Sequence, residues 1–214
     1  MDIRPLLLVA LAFSGGAMAQ VSRKSIPPIV ATITSAEIAD FDANPPAIKK
    51  LLEAALALTR QNLGYQYGAD DPAEHGMDCS GTVYYLLRAA GVKDVPRSSA
   101  EQYAWVQEAG TFIPMNAHSL EAPEFSQLRP GDLLFWSGTY PSTQNLPATH
   151  AMIYLGKAAT DALPLMVGSS DGRTYRGKKC YGVSVFDFYL PREGGKSRFL
   201  GYAKIPGLPS PPVK

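Results

Sequence analysis

Two cysteines and three histidines are the side chains of this 214-residue chain best suited to nucleophilic and acid–base chemistry near neutral pH. Cys79 stands in the run Gly76-Met77-Asp78-Cys79-Ser80-Gly81. A thiol attacks as thiolate, so a catalytic cysteine needs surroundings that lower its pKa. The residues that follow supply one such influence. Val83, Leu86, Leu87 and Ala90 form an apolar stripe at helical spacing, and Gly91 is a natural stop, so Cys79 opens a helix. The unpaired N–H groups and dipole of a helix start favour a thiolate and can hold the oxyanion of a tetrahedral intermediate. Ser80 and Gly81 put little bulk beside the sulfur. Asp78 is suited to capping the helix, but its charge opposes the thiolate, which points to a second task.

A nucleophilic cysteine also needs a base. His75 lies four residues before Cys79 in a polar loop, and His118 sits in an irregular stretch beside Asn116 and Ser119. His150 begins the apolar run from Ala151 to Leu155, and a strand end is a rigid mount for a base. With a helix-opening cysteine beside it, His150 leads, although spacing alone does not choose between it and His75.

The elements around these residues fall in order. Ile48, Leu51, Leu52, Ala55, Leu56 and Leu58 predict an amphipathic helix ending near Asn62. A Gly-, Asp- and Pro-rich loop leads to Met77, and a shorter helix is expected over Ser99 to Ala109. Apolar runs from Leu133 to Trp136, Ala151 to Leu155, Leu165 to Val167, Val183 to Tyr189 and Phe199 to Ile205 read as strands separated by turns. Helices first and strands later indicate an α+β domain with an antiparallel sheet.

Arg4, the apolar stretch Leu6 to Phe13 and the ending Ala17-Met18-Ala19 match a secretory signal cleaved after Ala19, so a periplasmic or secreted protein is expected, without stable membrane insertion after cleavage. Residues 20–46, with Pro27-Pro28 and Pro45-Pro46, read as a linker or N-terminal extension. The domain occupies 47–205, and the proline-rich 206–214 reads as a disordered tail. Export makes a Cys79–Cys180 disulfide the competing structural reading. The formal net charge of +1 provides no field for nucleic acid or an anionic membrane. The cysteines and histidines lack metal-ligand spacing and there is no phosphate-binding glycine loop, so no cofactor is expected.

Five blocks now carry a resemblance. Leu63 to Gly68, Asp78-Cys79-Ser80-Gly81, Val95 to Gln102, Leu128 to Trp136 and His150 to Gly156 resemble, in the same order, the NlpC-type papain-like cell-wall cysteine peptidases. The resemblance implies a papain-like fold, with N-terminal helices packed on a small antiparallel sheet. It implies hydrolysis of amide bonds in peptidoglycan stem peptides, commonly between D-glutamate and a diamino acid. Cys79 matches the nucleophile and His150 the general base. Tyr65 matches a tyrosine facing the site. Asp78 and Ser80 match residues that in some members receive the stem peptide's free amine, and Arg97 and Ser98 match a motif near the cleft.

Two features depart from that pattern. The family usually places a third polar residue on the strand after the base, to orient the imidazole, and here Gly168 falls at that position. Ser170 is the nearest polar side chain on the same face, with Asp171, a backbone carbonyl or water as other candidates; a plain turn through Ser169 to Gly172 is the competing reading. The insert Ser137 to Thr149 is expected to border the cleft. The basic run Asp171 to Lys179 either meets an acidic polymer or is solvated surface. Two further functions therefore stand beside the endopeptidase: a related Cys–His amidase or acyltransferase, and a weak or silent wall-binding module on the same fold.

Overall fold

The computed structural model describes residues 27–143 and 145–209. The expected signal, the first part of residues 20–46 and the end of the tail lie outside them. Helix α1 (Pro46–Thr59) begins with proline at its first turn, where the missing N–H costs no hydrogen bond, and buries Ile48, Leu51, Leu52, Ala55, Leu56 and Leu58. Short strands β1 (Gly64–Tyr65) and β2 (Gly76–Met77) pair in parallel and bracket the loop before helix α2 (Cys79–Ala89). Helix α3 (Ser99–Glu108) follows, capped by Ser98 and Glu101 in a reciprocal box.

The remaining main strands are β3 (Phe112–Pro114), β4 (Leu133–Ser137), β5 (Ala148–Lys157), β6 (Pro164–Ser170), a small hairpin of β7 (Thr174–Tyr175) with β8 (Lys178–Lys179), β9 (Gly182–Asp187) and β10 (Arg198–Ala203). Six of them form one sheet in the order β3-β10-β4-β5-β6-β9, antiparallel throughout. The α+β architecture read from the sequence is what forms, with the cysteine-bearing helix on the sheet in papain-like fashion.

Two cores lie on the two sheet faces. The helices pack over Ile153, Leu155, Val167, Val183 and Val185. Trp136, Met152, Tyr154, Met166, Phe186 and Tyr202 fill the other face, covered by Leu120, Phe125 and Leu128. Strand β6 continues through Ser169 and Ser170, so these residues extend the ladder with β9 and do not form the turn.

The stretch expected as a linker or N-terminal extension packs on the domain from Ile29 onward. Ile29 and Tyr181 exchange backbone hydrogen bonds of 3.0 and 2.8 Å, and Ala31 accepts from Val185, so the chain covers the open edge of β9. Ile33, Ile38 and Phe41 are buried in the helix-side core. Prolines and isolated bridges hide this from periodicity. At the other end, Leu208 packs against the same core.

Candidate functional site

The loop between β1 and α2 is shaped to receive the helix start. Asp78 caps α2 by accepting the Gly81 N–H at 2.6 Å, and its own N–H donates to the Ala69 carbonyl at 3.0 Å. A Cβ on Gly81 would lie 2.2 Å from that carbonyl oxygen, so only glycine lets the helix dock this closely. The Asp-Cys-Ser-Gly run is therefore a packing requirement as well as a chemical one. It sets Cys79 at the first turn of α2, facing β5.

Cys79 is buried and free, as is Cys180, which packs in the second core; no disulfide joins them. Burial, then the charge of Asp78, pushes the Cys79 thiol up to about 11. The neighbouring backbone of Ala151, then Ser80 and Cys79 itself, pulls the other way. Ala151 is the residue after His150. The backbone of β5 and of the helix start thus favours the thiolate, but desolvation outweighs it.

The carboxylate of Asp78 is crowded. Its Oδ1 accepts from Gly81 N–H, the Ser80 hydroxyl at 3.2 Å and Arg97 Nη1 at 3.1 Å. Its Oδ2 accepts from Gly68 N–H at 2.8 Å and Arg97 Nη2 at 3.1 Å. Five donors on two oxygens leave no lone pair for an incoming ammonium. Arg97 also binds Asp70 at 2.5 Å, so the trio keeps one net negative charge, on the more exposed Asp70 side. The Ser98 hydroxyl is committed to Glu101 as the cap of α3.

Two adjoining cavities meet at this point. One of about 220 Å³ is lined by Asp78, Cys79, Ser80, Arg97 and Ser98. The other, about 740 Å³, is lined by His150, Ser170, Asp171, Arg173 and Tyr189. Tyr65, Tyr67 and Tyr140 line both. Tyr140 comes from the insert before β5 and meets Tyr67 edge-on, with ring centroids 6.3 Å apart. The insert borders the cleft as expected. The Tyr65 hydroxyl is held protonated by burial and by the negative charge available at Cys79, Asp171 and Asp78, so it is a donor at neutral pH.

His150 is buried at the start of β5, whereas His75 and His118 are exposed and line neither cavity. Among the described residues the imidazole is not hydrogen-bonded to Cys79. Its Nε2 instead accepts from Arg173 Nε at 3.3 Å. Burial, then the Arg173 charge, lowers the His150 pKa well below its ordinary value. Arg173 is half-buried, and its guanidinium lies 4.2 Å from the centroid of the fully buried Trp136 ring, whose edge also meets the imidazole.

Ser170 lines the larger cavity on the same face as His150, but it does not bond the imidazole; Arg173 does. Gly168 leaves room for Met152, whose Cγ would be 3.0 Å from an added Cβ, so the position of the family's third residue is filled by core. Arg173 was legible only as part of a basic run. Within that run Arg176 pairs outward with Asp161 and Lys178 and Lys179 are exposed, while Arg173, just after the Asp171-Gly172 turn, points in. Tyr67 and Tyr140 carried no motif.

Comparison with known proteins covers the same region. The NlpC/P60 family profile matches residues 62–162, which include Tyr65, Cys79 and His150 and stop short of Arg173. Gamma-DL-glutamyl hydrolase of Bacillus subtilis (strain 168) is 27% identical over 147 residues, 69% of this chain and 27% of that protein. Murein DD-endopeptidase MepH of Escherichia coli (strain K12) is 29% identical over 117 residues, 54% of this chain and 37% of that protein. The chain thus spans between a quarter and two-fifths of the length of these curated relatives. A solved Staphylococcus aureus protein of the NLP/P60 family, described as similar to lipoprotein, aligns with a TM-score of 0.45 and 21% identity over 74% of this chain and 41% of that one.

Proposed function

Residues 62–162 form an NlpC/P60 family domain, and from that premise we propose that the chain is an exported cysteine endopeptidase hydrolysing amide bonds in peptidoglycan stem peptides. The names of the two curated relatives, a glutamyl hydrolase and a murein endopeptidase, support a substrate of this class. The observation that carries the reading is the setting of Cys79. Cys79 opens helix α2 and lines the smaller of two cavities that share Tyr65, Tyr67 and Tyr140, the larger being lined by His150, and the backbone of Ala151, the residue after His150, favours its thiolate.

In this reading the acyl part of the peptide lies in the smaller cavity and the amine part in the larger. Cys79 attacks the scissile carbonyl as thiolate, and the N–H groups of the α2 start with the Tyr65 hydroxyl stabilise the oxyanion. His150 takes the thiol proton and returns it to the leaving amine; water then cleaves the thioester. The net negative charge left on the Asp70–Arg97–Asp78 trio attracts the stem peptide's free amine from the Asp70 side. The apolar stretch Leu6 to Phe13 with the ending Ala17-Met18-Ala19 directs export, and N-terminal sequencing of protein recovered outside the cytoplasm is expected to begin at Gln20; an intact Met1 contradicts it.

Incubation with purified muropeptides under reducing conditions, read by mass spectrometry, tests the function. Cleavage by the native chain and none by Cys79→Ala supports it. One observation favours a second reading, a wall-binding module: Arg173, not Cys79, holds His150. Binding of muropeptides without cleavage by either protein would favour that module.

A further inference from the structure

Arg173 is out of place in a site built to ionise a thiol. It donates to the imidazole nitrogen that an orienting residue would normally accept from, and it brings a positive charge to a base that must become positive. Among the described residues no carboxylate lies within ion-pair distance of its guanidinium. Trp136 holds it from one side by its ring face. Its other side lines the cavity of about 740 Å³ that also holds His150 and Ser170. A half-buried cation anchored on an aromatic ring, lacking an internal anion and facing an open cavity is a receptor for an anion.

The side of the cleft identifies which part of the substrate brings it. The leaving amine departs past the general acid, so the cavity lined by His150 takes the amine half of the peptide. We propose that Arg173 binds a carboxylate on the amine half of the substrate, and that this carboxylate completes the site by taking the place of the missing third residue. The inference rests on the reading of Cys79 and His150 as the reacting pair.

The step balances within the site. Arg173 holds Nε2 as an acceptor, so the single imidazole proton sits on Nδ1 and the base is blocked. A bound carboxylate pairs with the guanidinium and cancels its charge. The imidazole proton then moves to Nε2, where it donates to the carboxylate, and Nδ1 becomes free. The Cys79 S–H bond breaks, an Nδ1–H bond forms, and the products are thiolate and imidazolium. No oxidant or further reactant is required. The other groups around the pair are Tyr65, Tyr140 and Asp78 toward the sulfur and Asp171 and Tyr189 in the cavity; none donates to or accepts from the imidazole among the described hydrogen bonds.

Two measurements on the full chain test this. The first is the 15N spectrum of the imidazoles across pH, with meso-diaminopimelate or its diamide as probe; far-ultraviolet circular dichroism of each variant reports that the fold is intact. The diacid, and not the diamide, is expected to raise the His150 pKa and move its proton to Nε2. Arg173→Gln is expected to raise that pKa without ligand and to abolish the response, while Arg173→Lys keeps part of it. Equal responses to acid and amide, or an unchanged response in Arg173→Gln, overturn the proposal. The second compares hydrolysis of two stem peptides differing only in carboxylate or carboxamide on the amine half. The native chain is expected to prefer the acid by about tenfold or more in kcat/KM, the scale of one charge-assisted contact, and Arg173→Gln to lose the preference. Cleavage without preference in the native chain overturns the carboxylate site and leaves the hydrolase reading standing. The acid-specific 15N response with neither peptide cut upholds the site and overturns the hydrolase reading.

Discussion

Arg97 grips both carboxylate oxygens of Asp78, with Nη1 and Nη2 each at 3.1 Å, and so balances the charge nearest the thiol of Cys79. Asp78 is almost wholly buried, and its charge is the second cause, after burial, of the raised Cys79 pKa. Arg97 thereby links the cap of α2 to the reactivity of its first residue.

Removing that grip is expected to cost stability and reactivity together. Arg97→Ala leaves a buried carboxylate uncompensated, and about 1–3 kcal/mol of stability is expected to be lost, measured by urea unfolding. The same variant is expected to alkylate more slowly at Cys79 at pH 8, because an unbalanced Asp78 opposes the thiolate more strongly. Unchanged alkylation with lowered stability would confine Arg97 to a structural role.

The helix start tolerates no side chain at Gly81. Gly81→Ala places a Cβ against the Ala69 carbonyl and is expected to destabilise the fold by about 1–3 kcal/mol, the usual cost of overpacking. It is also expected to reduce Cys79 reactivity, since the helix must shift. At Gly201, by contrast, a similar clash with the Ile113 carbonyl falls between β10 and the edge strand β3, far along the chain from α2, and Gly201→Ala is expected to lower stability alone.

The ligand-free thiol titrates late. With its pKa pushed up to about 11, only about one molecule in ten thousand carries a thiolate at pH 7. Iodoacetamide labelling of Cys79 is expected to rise with pH through 9 and 10 without a plateau. The sign for stability follows from the same shift. The folded thiol binds its proton more tightly than the unfolded one, so this group's contribution is full below pH 9 and fades as pH rises toward 11. A labelling plateau between pH 6 and 8 would mean a preformed thiolate–imidazolium pair and would contradict the role given to Arg173.

Cys180 is expected to be dispensable for chemistry. It is buried in the core on the other sheet face, with only a weak contact from its thiol to the Lys178 carbonyl. Cys180→Ala is expected to cost about 1 kcal/mol or a little more, and to leave muropeptide cleavage unchanged. Loss of cleavage in that variant, with the fold retained, would show that the second thiol takes part.

The residues proposed to react were legible in the sequence because each signal was local. Cys79 was marked by a cap, a small-residue pair and a helical stripe; His150 by an apolar strand that it opens. Helices α1 and α2 follow from apolar stripes at helical spacing and the main strands from short apolar runs between turns, with ends shifted by a few residues. Arg173 was missed because its neighbours Arg176, Lys178 and Lys179 do face outward, and only the turn at Gly172 separates its direction from theirs. The core role of Ile33, Ile38 and Phe41 was missed because that segment pairs through isolated bridges and has no period. The crowding of Asp78 is not legible in the sequence, because its five donors come from four residues in three separate stretches: Gly68, Ser80 with Gly81, and Arg97.

The central claim is that Cys79 carries the acyl group of a cut stem peptide, and acid-quenched intact-mass spectrometry during muropeptide turnover tests it most directly. The account predicts a transient adduct equal to the acyl fragment, located on Cys79 by peptide mapping and absent from Cys79→Ala. Continued cleavage by protein whose Cys79 has been fully alkylated would contradict it.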